Sequence, residues 1–313
     1  MSRSESGAID VWRGTASAWE CDEMGHLNVR FHVARAMEGL VGLATALGLP
    51  HAFAPGAELT LQVMEHHIRF HREVRPGVAL HMTAGVIDFN EDGARFLQTL
   101  IDSATGATCA NFLTWAKLVS THDWSPRPWP AYAAGRAGPL QSLIPDNAGP
   151  KGLNGDALCS IASQSAADAL NVPYTGRSAI SPPDCDVFGR MRTEMVIGRI
   201  NAGIPHLVRP IRDAIERDLH IEGRVGGAAL EYRLAYFAFP RSGDQIVLRS
   251  GISRLEPKRM LMTHWLIDPI SGAAWASAQN ISVNLNLDTR KSIVMQNDFH
   301  LSVQGLVQHG MAM

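Results

Sequence analysis

Residues 20–31 read "ECDEMGHLNVRF", and residues 184–192 read "DCDVFGRMR". In each, an aspartate (Asp22, Asp186) follows a cysteine and precedes a glycine (Gly25, Gly189) by three residues. Both stretches are followed by apolar residues at helical spacing. The two motifs stand 164 residues apart, and the match does not end there. Glu65 in "MEHHIRF" pairs with Glu231 in "LEYRLAY", and Gly77 pairs with Gly243. Asp102 and Gly106 in "LIDSATGA" pair with Asp268 and Gly272 in "LIDPISGA", all at an offset of 166. Matching order at a near-constant offset is the signature of an internal repeat. The repeating unit is about 120 residues, an ordinary domain size.

Each unit has one layout. A short strand leads to the acid motif, and a helix follows. In the first unit Ala34, Met37, Val41 and Ala44 form one apolar stripe, and Val33, Leu40, Leu43 and Leu47 form a second beside it. A helix apolar on both stripes is expected to be buried. Gly48 and Pro50 end it. In the second unit Val196, Ile197, Ile200 and Ile204 carry the stripe, and Pro205 is expected to stop the helix. Val78, Leu80, Met82, Ala84 and Val86 alternate as in a half-buried strand. "DSATG" and "DPISG" read as turns between paired strands. The fold class is α+β: one buried helix wrapped by an antiparallel sheet, twice. The units are placed at 1–125 and 173–290. Residues 126–172, with "PRPWP" and "PDNAGPKGLNG", match neither unit and read as a linker. A helix is expected within 156–170, and 291–313 reads as a C-terminal tail.

Composition sets the outer limits. The chain has 313 residues and a formal net charge of -2, with 46% hydrophobic and 19% charged residues. That is the range of an ordinary globular protein. No basic stripe is available to neutralise phosphates, so nucleic-acid binding is not expected. No apolar run reaches the roughly 18 residues of a membrane span. The polar "MSRSESGAID" lacks the apolar centre of a secretory signal, so the expected location is the cytoplasm. The cysteines Cys21, Cys109, Cys159 and Cys185 lack metal-type spacing. His66, His67 and His71 invite a metal, but His67 and His71 are about 13 Å apart on one face of a strand and His66 faces the other way. No zinc-protease, serine-hydrolase or phosphate-loop motif occurs.

The stretch "CDEMGHLNVRFHVARAMEG" (21–39) resembles the hot-dog acyl-CoA thioesterases, in particular the 4-hydroxybenzoyl-CoA thioesterase-like branch. So do "IRFHREVRPGVALHM" (68–82) and "LIDSATGATCANFLTWAKLV" (100–119). The resemblance covers nearly all of 11–118. It is weaker over 177–285, where Arg190 stands in place of His26 and Arg192 in place of Asn28. It implies a double hot-dog, with the pairing of two hot-dogs supplied inside one chain. Family members place two sites where hot-dogs pair, each drawing on both. Further homo-oligomerisation is left open. The implied substrate is an acyl-CoA, with coenzyme A as part of the substrate and no other cofactor.

Thioester chemistry explains why these residue types belong together. The leaving thiol has a pKa of about 8.5 and departs as thiolate unaided. An oxyanion must be stabilised and a nucleophile delivered. Asp22 is the candidate for the second task, as nucleophile or as general base for water. The backbone amides of Gly25, His26 and Leu27, at the expected helix N-terminus, are the candidate oxyanion hole. One such donor lowers a barrier by about 2.7–4 kcal/mol. His26 and Asn28 complete the candidate set. Asp186, Gly189 and Arg190 form a candidate second site, its arginines suited to CoA phosphates.

Plainer readings stand beside these. Asp22 in both repeats also fits a helix N-cap. His26 and Asn28 also fit helix-surface and loop roles. Glu38 is expected to pair with Arg35 one turn away, and Cys21 and Cys185 to be small core-facing residues. Two further functions compete with hydrolysis: a non-catalytic acyl-thioester-binding protein, and a hot-dog enoyl-CoA hydratase or dehydratase. The spacing of acid and histidine expected of the hydratases is absent.

Overall fold

A computed structural model describes residues 7–155, 161–218, 223–295 and 303–313. The chain divides into two compact units, 1–150 with 186–194, and 151–185 with 195–313. The acid motif of the second repeat therefore belongs to the first compact unit.

In the first unit β1 (Ile9–Thr15) leads through a 3-10 turn to α1 (Val29–Ala46). Four long strands follow: β2 (Leu59–Phe70), β3 (Ala79–Asn90), β4 (Gly93–Asp102) and β5 (Thr108–Ser120). They form an antiparallel sheet in the order β1-β3-β4-β5-β2. Helix α1 lies against β1, β3 and β4. Val33, Leu40, Leu43 and Leu47 of one apolar stripe and Ala44 of the other are fully buried, and Ala34 and Met37 are half-buried, so the helix is mostly buried as expected; Val41 is 40% exposed. Gly39 and Gly42 let the helix approach closely. A Cβ at Gly42 would stand 2.6 Å from the Val11 carbonyl oxygen, and one at Gly39 the same distance from Met82 Sδ. Gln98, buried beneath the helix, donates to the Ala36 carbonyl at 2.5 Å and accepts from Thr114 Oγ1 at 2.8 Å. A buried amide with partners on both ends avoids the cost of an unmade hydrogen bond.

The second unit repeats this plan. Its elements are β6 (Tyr174–Ala179), α4 (Thr193–Asp218), β7 (Val225–Tyr236), β8 (Gln245–Leu255), β9 (Met260–Ile267) and β10 (Ala274–Asn286). The strand order is β6-β8-β9-β10-β7, with the short β11 (Lys291–Ser292) on β10. This is the first unit's order, element for element. The two "D-x-x-x-G" turns also agree. Asp102 Oδ1 accepts from the Ala104 amide and Asp268 Oδ1 from the Ile270 amide, each at 2.9 Å. Gly106 and Gly272 close these turns at φ of 70° and 74°, where a side chain would be strained.

Three expectations are corrected. Pro205 does not stop the second helix, because α4 runs on to Asp218 with Pro205 and Pro210 inside it. An interior proline costs about 3 kcal/mol. Val208, Ile211 and Ile215, beyond Pro205, are buried in a core with Ile252, Met260 and Met262, and that burial offsets the cost.

The segment 126–172 is not a plain linker. It carries α2 (Ala131–Ala137) and α3 (Gln164–Ala169). The expected helix at 156–170 appears only as α3, since 156–160 lie outside the described residues. The segment also extends the repeat. A 3-10 turn at Gly138–Leu140 is matched by one at Gln304–Leu306. Gln141 then bridges Val86 as Val307 bridges Ile252. The Ser142 amide donates to Val86 O and the Gln308 amide to Ile252 O, at 2.8 and 2.7 Å. Each turn follows at the same 166-residue offset, forming a strap across the sheet. The third correction concerns the C-terminal tail. Ile293, Met295 and Val303 lie in the core, and Trp265 Nε1 donates to the Ala312 carbonyl at 2.8 Å.

The loop from the second acid motif is locked within the first unit. Arg190 Nη1 donates to Gln62 Oε1 at 2.9 Å, and the guanidinium lies 3.7 Å from the centre of the Trp124 ring. Trp124 takes a φ of 59° and sits edge-on to Phe188. Replacing Arg190 with Ala removes the cation–π contact and leaves Gln62 short of a donor. The expected cost is about 1–3 kcal/mol, read as a lower urea midpoint; an unchanged midpoint would show that the contact carries no stability.

Three buried histidines make stability depend on pH. Burial pushes the imidazoles of His32 and His264 down to about 4 and that of His66 down to about 3. Unfolded, each takes up a proton near pH 6.5. Below that pH the unfolded chain binds more protons, so stability falls as pH drops towards the folded values. The slope is about 1.4 kcal/mol per pH unit for each histidine. Calorimetry between pH 7 and pH 5 should show a falling Tm; a flat Tm would contradict the neutral, buried state of these rings.

Candidate functional site

The site is built from the first unit's turn upward. A 3-10 turn, Ala18–Glu20, is closed by Glu20, whose carboxylate accepts from the Ser17 amide at 3.0 Å. Arg35 of α1 reaches the same carboxylate. It also grips Glu38 at 2.8 and 2.9 Å, so the expected Arg35–Glu38 pair forms, although Glu38 is exposed. Cys21 then pairs with Leu27 in a short antiparallel bridge. Between them Asp22 to His26 forms a tight turn: the Asp22 amide donates to His26 O, and the Gly25 amide to Asp22 O. Gly25 sits at φ 78°, which the turn requires and glycine alone adopts cheaply. Asn28 caps α1, its Oδ1 accepting from the Arg30 amide at 2.9 Å.

Asp22 is a half-buried hub. Its Oδ1 accepts from the Met24 amide at 3.0 Å and faces the His26 amide at 3.4 Å. Its Oδ2 stands 3.4 Å from His26 Nδ1. Burial alone pushes its pKa up. The hydrogen bond and charge of His26, with the backbone amides of His26 and Met24, outweigh burial and hold the carboxyl below its usual range. Asp22 is therefore ionised at neutral pH. Cys21 goes the other way. Burial, then the carboxylates of Asp22 and Glu20, raise its pKa, so it is a thiol rather than a nucleophilic thiolate.

The structure brings Asp22, Gly25, His26 and Asn28 onto one turn, with Asn28 serving the helix. It corrects the expected oxyanion hole. Helix α1 begins at Val29, so the amides of Gly25, His26 and Leu27 precede its first turn. The Gly25 and Leu27 amides are committed to Asp22 O at 3.0 Å and Val74 O at 2.7 Å. The His26 amide, at 3.4 Å from Asp22 Oδ1, is the weakest held of the three.

The second motif has the same backbone. Asp186 Oδ1 accepts from the Phe188 and Arg190 amides at 2.9 and 3.0 Å, and Gly189 takes φ 74°. Arg190 is buried against Trp124 and Gln62, and Arg192 pairs with Glu194 at 3.1 Å. Among the described residues no group of three or more His, Cys, Asp or Glu is arranged to hold a metal. No helix among them is long and apolar enough to cross a membrane. His71 Nε2 accepts from the Asn111 side-chain amide at 3.0 Å. The carboxylate of Glu231 is buried and accepts from the amides of Lys151, Gly152 and Leu153.

Sequence reasoning passed over the loop after β2. Glu73 Oε1 stands 3.5 Å from His26 Nε2, and the Arg75 guanidinium lies beside Gly25. It also passed over the pairing of Glu20 with Arg35, although the signal was present. Ser17-x-x-Glu20 and Ser181-x-x-Asp184 are both capping-box spacings, and Arg35 and Arg199 stand at the same 164-residue offset.

Residues 16–134 match the family model of the thioesterase-like superfamily. A search of curated proteins finds no match. Among solved structures, one provisionally named as an oleoyl thioesterase from Lactobacillus plantarum superposes with a TM-score of 0.66 at 11% identity. The superposition covers 89% of this chain and 96% of that one. The 12:0-ACP thioesterase from Umbellularia californica gives 0.63 at 12% identity, covering 88% and 94%. An acyl-ACP thioesterase from Bacteroides thetaiotaomicron gives 0.61 at 11%, covering 88% and 98%. Identities this low speak for the fold, which they match over nearly the whole chain. The chain therefore has a double hot-dog fold, and its first repeat matches the model of the thioesterase-like superfamily.

Proposed function

We propose that the chain hydrolyses an acyl-CoA thioester to a free acid and CoA, with Asp22 as nucleophile or general base. The observation that carries this reading is the meeting of an ionised, half-buried Asp22 with His26 on a glycine turn. The turn lies inside the stretch that matches the thioesterase-like model. An ionised carboxylate serves either role: it attacks the carbonyl carbon to give an anhydride, or takes a proton from the attacking water. The thiolate leaves without a general acid. The His26 amide, loosely held by Asp22, and the nearby Arg75 guanidinium are the candidates to oppose the oxyanion. Coenzyme A enters as part of the substrate, and no other cofactor is invoked. The carrier-protein substrates named for the fold relatives make an acyl-carrier-protein thioester the natural competitor to CoA. A non-catalytic thioester-binding role keeps one supporting observation: both oxygens of Asp22 already face partners within the turn.

The test is thiol release from a panel of aliphatic and aromatic acyl-CoAs and an acyl-carrier protein. Asp22→Asn should lower turnover by about 10²–10⁴-fold, while Asp186→Asn stays near wild type. Turnover halved by either change would mean that both motifs work. No thiol release from any substrate by the wild type would sink the hydrolase reading in favour of binding. Water addition to an enoyl-CoA without thiol release would replace it with hydration.

A further inference from the structure

Glu73 lies outside the acid motif, yet the fold brings it there. The loop after β2 is tied down at both ends. The amides of His71 and Arg72 donate to Cys109 O, and Val74 O accepts from the Leu27 amide at 2.7 Å. Between these anchors the Glu73 carboxylate is placed 3.5 Å from His26 Nε2, on the opposite side of the ring from Asp22, whose Oδ2 is 3.4 Å from Nδ1. A carboxylate thus faces each ring nitrogen.

The repeat provides an internal control. In the second unit the same loop is held by the same bonds: the amides of Phe237 and Ala238 donate to Trp275 O as those of His71 and Arg72 do to Cys109 O. That register sets Phe239 at the place of Glu73. The aspartate and glycine of the motif persist as Asp186 and Gly189, and the aspartate makes the same amide contacts. His26 and Glu73, by contrast, are exchanged together, for Arg190 and Phe239. Phe239 stacks on Tyr236, with ring centroids 6.2 Å apart. A residue needed to shape the loop would survive in both units. The acid at 73 stands only in the unit that keeps the histidine.

We infer that Glu73 is a positioning residue of the thioester site, bracketing His26 with Asp22 so that the imidazole is held in one orientation between two carboxylates. The inference rests on the thioesterase reading for its catalytic consequence, but not for the contact itself. Other charged or titratable groups near the motif include the Arg75 guanidinium beside Gly25 and the buried His32 imidazole. Both remain unchanged in the test below.

The Glu73 side chain is 34% exposed, so Glu73→Gln keeps its shape without opening the core. Two measurements decide the matter: the ring nitrogen resonances of His26 in protein labelled with nitrogen-15 histidine, and thiol release by the full-length chain. Glu73→Gln should move the His26 Nε2 resonance. It should also lower kcat by about 10²-fold with KM little changed. Glu73→Asp should recover part of both. An unmoved resonance overturns the contact. A moved resonance with unchanged kcat in an active enzyme overturns the positioning role. If the wild type releases no thiol from any substrate, the hydrolase reading has failed, and the positioning role falls with it. The NMR arm then still decides whether Glu73 and His26 are joined.

Discussion

A buried acid and a helix arginine fix how each unit is threaded. Glu20 ends the 3-10 turn after β1, and Arg35, two turns into α1, neutralises it. Asp184 and Arg199 do the same in the second unit at 2.8 Å. An acid left alone at such a position would cost several kcal/mol, so the turn and the helix are obliged to stay in register. The Glu20 carbonyl adds a second tie by accepting from the Asn28 amide at 2.9 Å. What lies between these two anchors, residues 21–27, has its ends fixed before any chemistry is asked of it. The aspartate and glycine of the motif are the means by which seven residues turn back within that gap.

The two turns share a backbone and differ in their side chains. The shared features, the aspartate accepting amides and the glycine at positive φ, belong to the shape of the turn. The features found once are His26 and the acid across from it. In the other copy an arginine closes onto an indole and an amide, filling with stable packing the place where the first copy keeps titratable groups. Duplication has left one turn closed by packing while the other keeps titratable groups facing one another.

Much of this was legible in the sequence, and the limits have physical causes. Motifs whose side chains bond locally, such as Asp22 with Gly25 or Asp102 with Gly106, carry their spacing openly, because backbone geometry dictates it. The repeat was visible through just these positions. The helix boundary was not: Asn28, three residues after the glycine, is the cap, so the amides expected to head the helix lie before it. Pro205 misled for a related reason. A local rule against interior proline was overridden by the burial of Val208, Ile211 and Ile215, which a window around the proline does not reveal. Glu73 was invisible because its partner is 47 residues away in sequence, and only the anchoring of its loop to Cys109 and Leu27 brings them together. The straps at 138–142 and 304–308 escaped because strand pairing uses backbone atoms and leaves their side chains free to diverge.

Those straps bear on how the chain arose. Beneath each lies a glycine, Gly85 and Gly251, where a Cβ would strike Ser142 Oγ at 2.0 Å or the Gln308 side chain at 2.7 Å. The glycines were retained while the sequences above them drifted apart. The ancestral module was therefore already wrapped by its own strap when it was copied, and the copying unit was longer than the recognisable sequence similarity. The seam between the two copies falls after the first strap, inside a stretch that composition alone would assign to neither.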